Sequence, residues 1–377
     1  MSQLELIATA TFGLESVVAR ELHALGYDQQ TVEDGRVAFS ADATAICRTN
    51  LWLRSADRVL VKVGSFPAHD FGELFDKTRE LPWQDWLPEN AEFPVRGKSV
   101  RSSLHSVPDC QSIVKKAIVE KLKQSYDRNW FDEDGPRYAV EVALLKDVAT
   151  LTIDTTGDGL HKRGYRKLTG PAPIRETLAA GLLQLSFWNK DRPFIDPFCG
   201  TGTIPIEATM IGRNMAPGLD RGFAAESWHC VTPELWSEAR DEARDLAIAG
   251  LDSRLIANDI DEKVLGMARY HARQARVADD IHFQQKEFAD LTTKRQYGCV
   301  VCNPPYGERS GDLSKAEEVY RQMPQVFAAF ENWSVYVLSS HPKFETFFGR
   351  RADRRRKLYN GRIECTYFQF LGPRPPD

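Results

Sequence analysis

The sequence predicts an α/β domain with a mixed, mostly parallel sheet in its C-terminal half, preceded by a smaller α+β region. Residues 194–211 show a strand pattern, a glycine turn and a helix pattern, which is the first βα unit of a nucleotide-type fold. Strand patterns at 254–258, 281–285 and 299–302 then alternate with helical ones. The N-terminal half instead contains short strands with one polar face.

Composition limits the class of protein. The chain has 377 residues, of which 42% are hydrophobic and 27% charged, as in soluble globular proteins of two or three domains. No apolar run approaches the roughly 20 residues that span a bilayer, and the N-terminus lacks a secretion signal. Seven scattered cysteines indicate a reducing compartment. We therefore expect a cytoplasmic protein without a membrane partner.

The pattern divides the chain into three predicted units. Residues 1–65 form a small unit of alternating strands and helices. Residues 66–160 form a second unit, whose long helix is predicted to begin at Cys110 behind an Asp109 cap. Residues 161–377 form the α/β domain.

A glycine loop follows the first strand of the α/β domain. Gly200 and Gly202 allow close approach of a ligand to the backbone, and the next helix offers free N–H groups. The loop has neither the G-x-G-x-x-G fingerprint nor a Gly-Lys-Ser/Thr P-loop, so pyrophosphate is not its expected ligand.

Acidic residues are expected at the ends of the next two strands. Asp220 lies at the usual offset of about 20 residues from the glycine loop, but it follows no strand. Asp259 ends the second strand and is the better candidate, with Asp261 as a helix cap. Glu287 and Phe288 follow the third strand.

The fourth strand ends abruptly at Pro304 and Pro305, which continue neither a central strand nor a helix. The prolines hold Asn303 and Tyr306 at the tip of a rigid loop. An Asn carbonyl and a neighbouring backbone carbonyl can accept both hydrogens of a nucleobase amine, and an aromatic ring can stack on the base. The alternative is a proline-stiffened turn with an Asn cap.

Two further patterns are better explained by packing. Cys299 and Cys302 have the spacing of a redox or zinc motif, but they lie along a strand and no second pair accompanies them. Trp228 and Trp236 lie in an insertion at 214–250 and are expected in a core. No metal site is predicted.

Three segments carry a family resemblance that covers essentially the whole chain. Gly97-Lys98-Ser99, the stretch from Ser106 to Gln111 with the lysines after it, and the stretch from Leu160 to Arg166 resemble THUMP-containing bacterial RNA methyltransferases. The loop from Asp196 to Thr203 resembles the S-adenosyl-L-methionine (SAM) loop of class I amino-methyltransferases. The resemblance implies a Rossmann-like catalytic domain behind ferredoxin-like and THUMP units.

The resemblance also implies roles for residues. Those expected to bind SAM are Asp196, Phe198, Gly200, Thr201, Gly202, Thr203, Asp259, Ile260, Glu287, Phe288 and Asn303. Those expected at the reacting amine are Asn303, Pro304 and Tyr306. Related sequences often have Asp in place of Glu287.

Basic residues are the candidates for RNA phosphate contacts, although a solvated charged face is the simpler explanation of the lysine helix. The candidates are Lys115, Lys116, Arg163, Arg166, Arg355 and Arg356, the last two within the basic run from Arg350 to Lys357. The cluster around Arg163 also contains Tyr165, which could stack on a base.

The activity implied is methyl transfer from SAM to the N2 amine of guanine in RNA, with 23S rRNA as the first candidate. Adenine N6 stays open because the same Asn-Pro-Pro-Tyr tip serves adenine, and tRNA stays open because THUMP proteins modify both RNAs. A non-catalytic RNA-binding assembly factor is the third possibility, which the intact loop and tip disfavour. The oligomeric state is not indicated.

Overall fold

A computed structural model describes residues 3–168, 174–306 and 312–376. It contains two seven-stranded sheets with helices packed against both. The strands of the first sheet are β1 Leu4–Ala10, β2 Gln30–Glu33, β3 Arg36–Ala41, β4 Ala56–Pro67, β5 Val95–Val100, β6 Val140–Leu145 and β7 Val148–Asp154. Those of the second are β8 Phe194–Asp196, β9 Leu255–Asp259, β10 Ile281–Gln285, β11 Cys299–Cys302, β12 Ser334–Ser339, β13 Arg354–Asn360 and β14 Ile363–Phe370.

The helices connect and cover these sheets. They are α1 Glu15–Ala24, α2 Thr44–Trp52, α3 Phe71–Glu80, α4 Val107–Tyr126, α5 Glu176–Leu185, α6 Thr203–Gly212, α7 Pro233–Asp245, α8 Glu262–Gln274, α9 Asp312–Ala328 and α10 Phe344–Phe348. No helix in the described ranges is long and apolar enough to cross a membrane.

The first sheet joins the two units predicted to be separate. Its strand order is β2-β3-β1-β4-β7-β6-β5. The long strand β4 pairs with β1 through residues 56–61 and with β7 through residues 60–67. The boundary predicted between residues 65 and 66 therefore falls inside a strand, because hydrogen bonding of β4 on both sides makes one continuous sheet.

The second sheet has the order β10-β9-β8-β11-β12-β14-β13. The strands from β10 to β12 are parallel, and β14 is antiparallel to both of its neighbours. All four residues of β11 are buried, because helices cover both faces of the parallel part. Cys299 and Cys302 thus pack in the core, as predicted. The order reverses at β8, and ligands bind such sheets at this point, outside the carboxyl ends of the strands.

The insertion at 214–250 packs on the N-terminal region rather than on the sheet that it interrupts. Trp228 and Trp236 are buried in the N-terminal core, as predicted. Trp228 stacks on Tyr138 with ring centroids 4.6 Å apart and donates to the Arg137 carbonyl at 3.0 Å. The insertion therefore fixes the catalytic domain to the first sheet.

A second contact between the two halves involves the β13–β14 hairpin. Arg356 donates to the Gly13 carbonyl at 2.6 Å and to Ser16 Oγ at 2.8 Å. Gly13 has φ +91°, and a Cβ there would lie 2.4 Å from the Lys357 carbonyl oxygen. Only glycine allows this approach.

Local predictions differ from the structure in three places. Helix α4 begins at Val107 with Pro108 in its first turn, where a missing N–H costs nothing, so Asp109 is not the cap. Strand β2 was not predicted, because its exposed edge position leaves it mostly polar. The basic run enters strand β13 at Arg354 instead of remaining a turn.

Replacing Trp228 with Ala should lower the stability of the protein by about 3–5 kcal/mol, because it leaves a cavity between insertion and sheet. The matched control is Trp130→Ala, whose side chain is 77% exposed against 2% for Trp228. The control should change stability by no more than about 0.5 kcal/mol. Thermal unfolding of the two variants checks this, and equal midpoints would show that the insertion does not hold the halves together.

Candidate functional site

The carboxyl ends of β8, β9, β10 and β11 place the predicted site residues along one edge of the sheet. Asp196 ends β8, Asp259 ends β9 and Asn303 directly follows β11. Glu287 lies two residues beyond β10 and is exposed. Parallel pairing of these strands brings together segments that are far apart in the chain.

The glycine loop, residues 197–203, is held open by hydrogen bonds from the strand ends. Gly200 N donates to Asp259 Oδ2 at 2.9 Å, and Phe198 N donates to Asp196 Oδ1 at 3.1 Å. Gly200 has φ +53°, and a Cβ built there meets no heavy atom within 4 Å. Gly202 has φ +85° and precedes α6. The loop therefore presents open space and helix N–H groups to a ligand.

Asp196 supports this loop from below. Its side chain has no exposed surface, and Oδ2 has no hydrogen-bond partner among the described residues. Burial raises its pKa well above the ordinary carboxyl value, and the nearby Asp259 raises it further. Asp196 was expected to contact SAM directly, which stays a prediction; in this structure its buried carboxyl group accepts from Phe198 N and so positions the loop.

We call the space beside the glycine loop and the carboxyl ends of β9 and β10 the crevice. Asp259 ends β9 at this edge and is half-buried. Oδ1 accepts from Asp261 N at 3.0 Å, and Oδ2 accepts from Gly200 N. Each oxygen keeps lone pairs with which it can accept hydroxyl hydrogens from a ligand. Asp261 caps α8 through Lys263 N at 2.8 Å, as predicted. Ile260, between the two acids, is 57% exposed and offers an apolar surface to a flat ring.

The remaining wall is partly aromatic. Phe288 is buried, and its ring lies 4.8 Å from that of Phe198. Asn258 Nδ2 donates to the Pro197 carbonyl at 3.3 Å and to the Lys286 carbonyl at 2.9 Å. This amide ties the glycine loop to the segment that carries Phe288, so the two sides of the crevice keep a fixed spacing.

The tip after β11 is closed in this structure. Tyr306 donates its hydroxyl hydrogen to Asn303 Oδ1, and its ring packs on the core beneath the sheet. Tyr320 donates to the Pro305 carbonyl at 2.8 Å and anchors the loop. No described residue donates to the Pro304 carbonyl. Tyr306 was expected to stack on a base, which requires its ring to leave this inward position.

Arg163 is not available to RNA. Its side chain is 2% exposed, and it pairs with Glu207 of α6 at 3.4 Å. It also donates to the carbonyls of Leu160 and Arg54. Tyr165 is buried as well and donates to Glu207 at 3.2 Å. The prediction that Arg163 contacts phosphates and Tyr165 stacks on a base is wrong, because both side chains are buried and bind Glu207.

Arg166 has the same inward orientation. It donates to Thr203 Oγ at 2.9 Å and to the Ile174 carbonyl at 2.8 Å, and pairs with Glu176 at 3.3 Å. Burial raises the pKa of Glu176 to about 6, although the Arg166 charge opposes the shift. Arg166 therefore supports the first residue of α6 rather than a phosphate.

The other four basic residues predicted to contact RNA differ in how accessible their charges are. Lys115 Nζ donates to Glu133 at 2.6 Å and lies 3.5 Å from the centre of the Phe93 ring, so its charge is already compensated. Lys116 is exposed. Arg355 is exposed but pairs with Glu345 at 2.7 Å, and Arg356 binds the N-terminal region as described above. Lys116 and Arg355 thus remain the accessible candidates.

Sequence reasoning missed His271. This residue lies on the inner face of α8 and is 1% exposed. Its Nδ1 lies 3.1 Å from the Thr201 carbonyl, and its Nε2 accepts from Leu168 N at 3.2 Å. The ring must therefore be neutral with the proton on Nδ1, and burial lowers its pKa. Its helical spacing with Leu265 and Ala268 would have placed it inside the fold.

Comparison with known proteins identifies relatives along the entire chain. Family models match an RlmL ferredoxin-like domain over residues 5–60, a THUMP domain over residues 68–154 and an RMKL-like methyltransferase domain over residues 163–369. YpsC of Bacillus subtilis (strain 168), named as a candidate RNA methyltransferase, is 51% identical over 372 residues, covering 98% of this chain and 96% of its own.

Two solved structures are similar over nearly their whole length. One, from Listeria monocytogenes, is described as a predicted N6-adenine-specific DNA methylase. It is 50% identical, covers 99% of this chain and 97% of its own, and has a TM-score of 0.94. The other is SMU.472, a candidate methyltransferase complexed with S-adenosylhomocysteine (SAH), at 43% identity, full coverage of both chains and a TM-score of 0.93.

Replacing Arg166 with Ala should weaken SAM binding about tenfold, because Thr203 loses a hydrogen bond from a charged donor at the start of α6. The control is Lys162→Ala, which removes a neighbouring cation whose side chain is 60% exposed. Calorimetric titration with SAM should distinguish them. Weaker RNA binding with unchanged SAM affinity in the Arg166 variant would restore the role first predicted for it.

Acid should destabilise the protein through His271. Its folded-state pKa lies below the ordinary 6.5, so the unfolded chain binds more protons as the pH falls below that value. The stability contributed by the neutral ring is present above pH 6.5 and is lost on acidification. Denaturant midpoints at pH 7 and pH 5 should fall less in His271→Gln than in the wild type. In His282→Gln, at an exposed position, the fall should equal that of the wild type.

Proposed function

This chain belongs to the family of RMKL-like methyltransferases with RlmL-type ferredoxin-like and THUMP domains, and we propose that it methylates the exocyclic N2 amine of a guanine in RNA. The family predicted from the sequence is thereby confirmed, and so is the fold class. The cosubstrate is SAM, in agreement with the SAH found in a relative of 43% identity. The proposed RNA is 23S rRNA.

One observation carries the proposal. Asn303 and the Pro304 carbonyl lie at the carboxyl end of β11, and β11 is paired directly with β8, which carries the glycine loop. Two oxygen acceptors are thus placed on the strand adjacent to a loop that suits a SAM methionine group. An exocyclic amine has two hydrogens, and a pair of acceptors at this position suits it.

The residues at this edge fit SAM. We assign the ribose hydroxyls to Asp259, whose oxygens face the crevice with lone pairs to spare. The adenine ring is assigned to the apolar surface of Ile260 and Phe288, with Glu287 at its edge. The methionine group is assigned to the space above Gly200 and the start of α6. Thr201 and Thr203 hold that loop through His271 and Arg166.

In the proposed mechanism the protein mainly positions its substrates. Bound SAM supplies an electrophilic methyl group on a sulfonium. Asn303 Oδ1 and the Pro304 carbonyl accept the two amine hydrogens and turn the nitrogen lone pair toward that methyl group. Tyr306 must first release Asn303 Oδ1, and its ring can then move outward to stack on the extruded base. No strong base is required, because the methylated amine is acidic and loses its proton to solvent.

RNA delivery is assigned to the N-terminal sheet and the THUMP unit. Lys116 and Arg355 are the accessible cations among the predicted contacts. The buried ion pair of Arg163 with Glu207 and the insertion at 214–250 hold this region against the catalytic domain. A base could therefore be presented to the tip by a rigid body rather than by a flexible tether.

A second candidate is adenine N6. The Listeria structure, at 50% identity, is described as a predicted N6-adenine-specific DNA methylase. The Asn-Pro-Pro-Tyr tip would accept an adenine amine equally well. The RNA alternative to 23S rRNA is tRNA.

The deciding experiment is methylation of unmodified 23S rRNA and of tRNA by the full chain with labelled SAM, followed by digestion to nucleosides and mass spectrometry. N2-methylguanosine from 23S rRNA is the expected product. N6-methyladenosine would overturn the guanine assignment, and label in tRNA alone would overturn the 23S assignment. Absence of label from both RNAs, with SAM still bound, would favour an assembly factor.

Replacing Asn303 with Ala should lower turnover by roughly 10²–10³, the usual effect of removing one pre-positioned dipole. SAM affinity should change little, because the hydrogen bond of Asn303 in the described part of the chain goes to Tyr306 and not to the glycine loop. Single-turnover rates and calorimetry on the same preparation separate the two effects. If the variant loses SAM binding together with activity, Asn303 is a structural cap.

A further inference from the structure

A cleft of about 370 Å³ lies where the N-terminal region, the insertion and the catalytic domain meet. Helices α1, α2, α5, α6 and α7 all contribute to its walls or rim. Apolar side chains form one part of the lining, among them Leu25, Trp52, Ile211 and Leu246. Neither the glycine loop nor the tip after β11 takes part.

Arg54 lines this cleft and carries a buried positive charge. Its residue is 7% exposed, yet its guanidinium makes no hydrogen bond or ion pair with any residue that the structure describes. Nη1 is completely buried without a partner, and so is Nε1 of the neighbouring Trp52. Burial lowers the pKa of Arg54 to about 10, so the group is still charged at neutral pH. An unpaired buried charge of this kind is costly, and proteins rarely retain one.

The charges of Glu207 and Glu21 oppose the lowering of the Arg54 pKa, but neither carboxylate forms a hydrogen bond or ion pair with its guanidinium in the described part of the chain. Glu207 is already paired with Arg163 at 3.4 Å. Glu21 accepts from Arg54 N at 3.0 Å, from Ser55 N at 3.2 Å and from the Gln184 side chain, so its oxygens bind backbone and amide groups. Glu242 forms a two-point pair with Arg48 at 2.7 and 2.8 Å.

The lining of the cleft therefore has an excess of positive charge. Its cations are Arg20, Arg48 and Arg54, and its anions are Glu21 and Glu242. Three positive charges therefore stand against two negative ones. Arg48 is paired with Glu242 and Arg20 donates to the Gln184 carbonyl, whereas the guanidinium of Arg54 has no hydrogen-bond partner among the described residues.

We propose that this cleft binds a small organic oxyanion, a carboxylate or phosphate ester, whose charged group pairs with Arg54 and whose apolar body packs on Trp52, Leu25 and Ile211. A guanidinium forms two parallel hydrogen bonds with such a group. The volume accommodates a small metabolite. The apolar walls favour an organic anion over a bare inorganic ion.

The site is separate from the methyl-transfer site. Ile211 lies at the end of α6, about 12 Å along the helix from its first residue beside the glycine loop. The two sites are nevertheless connected, because Arg163 donates to the Arg54 carbonyl and pairs with Glu207 in the middle of α6. The inference does not rest on the identity of the methylated base or RNA.

The test uses the full chain, with phenyl phosphate, benzoate and inorganic phosphate as probes in calorimetry and thermal unfolding. At about a hundred times its Kd, a bound probe should raise the unfolding midpoint by a few degrees. Arg54→Met, of similar shape but without charge, should lose at least tenfold in affinity for that probe. Arg79→Met, an arginine on α3 that is 41% exposed and far from the lining, should bind like the wild type.

Three results would overturn the proposal. The first is that none of the probes binds the wild type, and the second is that Arg54→Met binds them equally well. The third is that structured RNA competes with the probe, which would assign Arg54 to a backbone phosphate of the substrate instead of a free small molecule.

The stability of Arg54→Met without any probe also distinguishes a ligand-binding role of Arg54 from a structural role. In anion-free buffer, Arg54→Met should be at least as stable as the wild type, because it removes a buried charge that lacks a partner. A lower unfolding midpoint of Arg54→Met in that buffer would instead show that Arg54 serves the fold, and the site would be withdrawn.

Discussion

The buried ion pair between Arg163 and Glu207 is the interaction on which the arrangement of this protein depends. Both side chains are almost completely inaccessible, at 2% and 0% exposure. Glu207 belongs to α6, the helix that begins at the glycine loop, whereas Arg163 also holds the carbonyls of Leu160 and Arg54 in the N-terminal region. Removal of either partner would leave a buried charge, which typically costs 3–5 kcal/mol. This ion pair therefore favours a single orientation of the two halves of the chain.

The glycine loop and the N-terminal region, to which RNA delivery is assigned in the proposed function, are thus connected through Glu207 and Arg163. Arg166 supports Thr203, His271 holds Thr201, and the insertion buries Trp228 in the N-terminal core. The first two contacts hold the glycine loop to residues 37 and 70 positions away in the chain, and the third holds the catalytic domain to the first sheet. The proposed catalysis by positioning requires such rigidity, because an amine with a delocalised lone pair must be held in line with the methyl group. In the proposed mechanism the part that moves is the tip, where the Tyr306 hydroxyl is hydrogen-bonded to Asn303.

Predictions from the sequence succeeded where a function depends on local chain geometry. The glycine loop after β8, the position of Asp259 at the end of β9 and the Asp261 cap all follow from strand-turn-helix patterns of a few residues. That Asp259 rather than Asp220 binds the ribose stays a prediction. The predictions failed where the tertiary environment decides whether a side chain is exposed or buried. Arg163 and Tyr165 look like an RNA-binding cluster, because a basic aromatic stretch near a junction has the same composition whether it faces solvent or a partner domain.

The sequence by itself indicated the family through motifs that resemble it. It also determined the fold class and the segments at the carboxyl edge, because periodicity and turn residues encode strands, helices and their ends. Only the tertiary structure decided that β4 joins two units into one sheet and that the junction arginines point inward. It also decided that Arg54 is buried beside a cleft and that its guanidinium has no hydrogen-bond partner among the described residues. Burial and pairing depend on residues far apart in the chain, 44 positions for Arg163 and Glu207 and more than 80 for the β4–β7 pairs, and no local pattern records them.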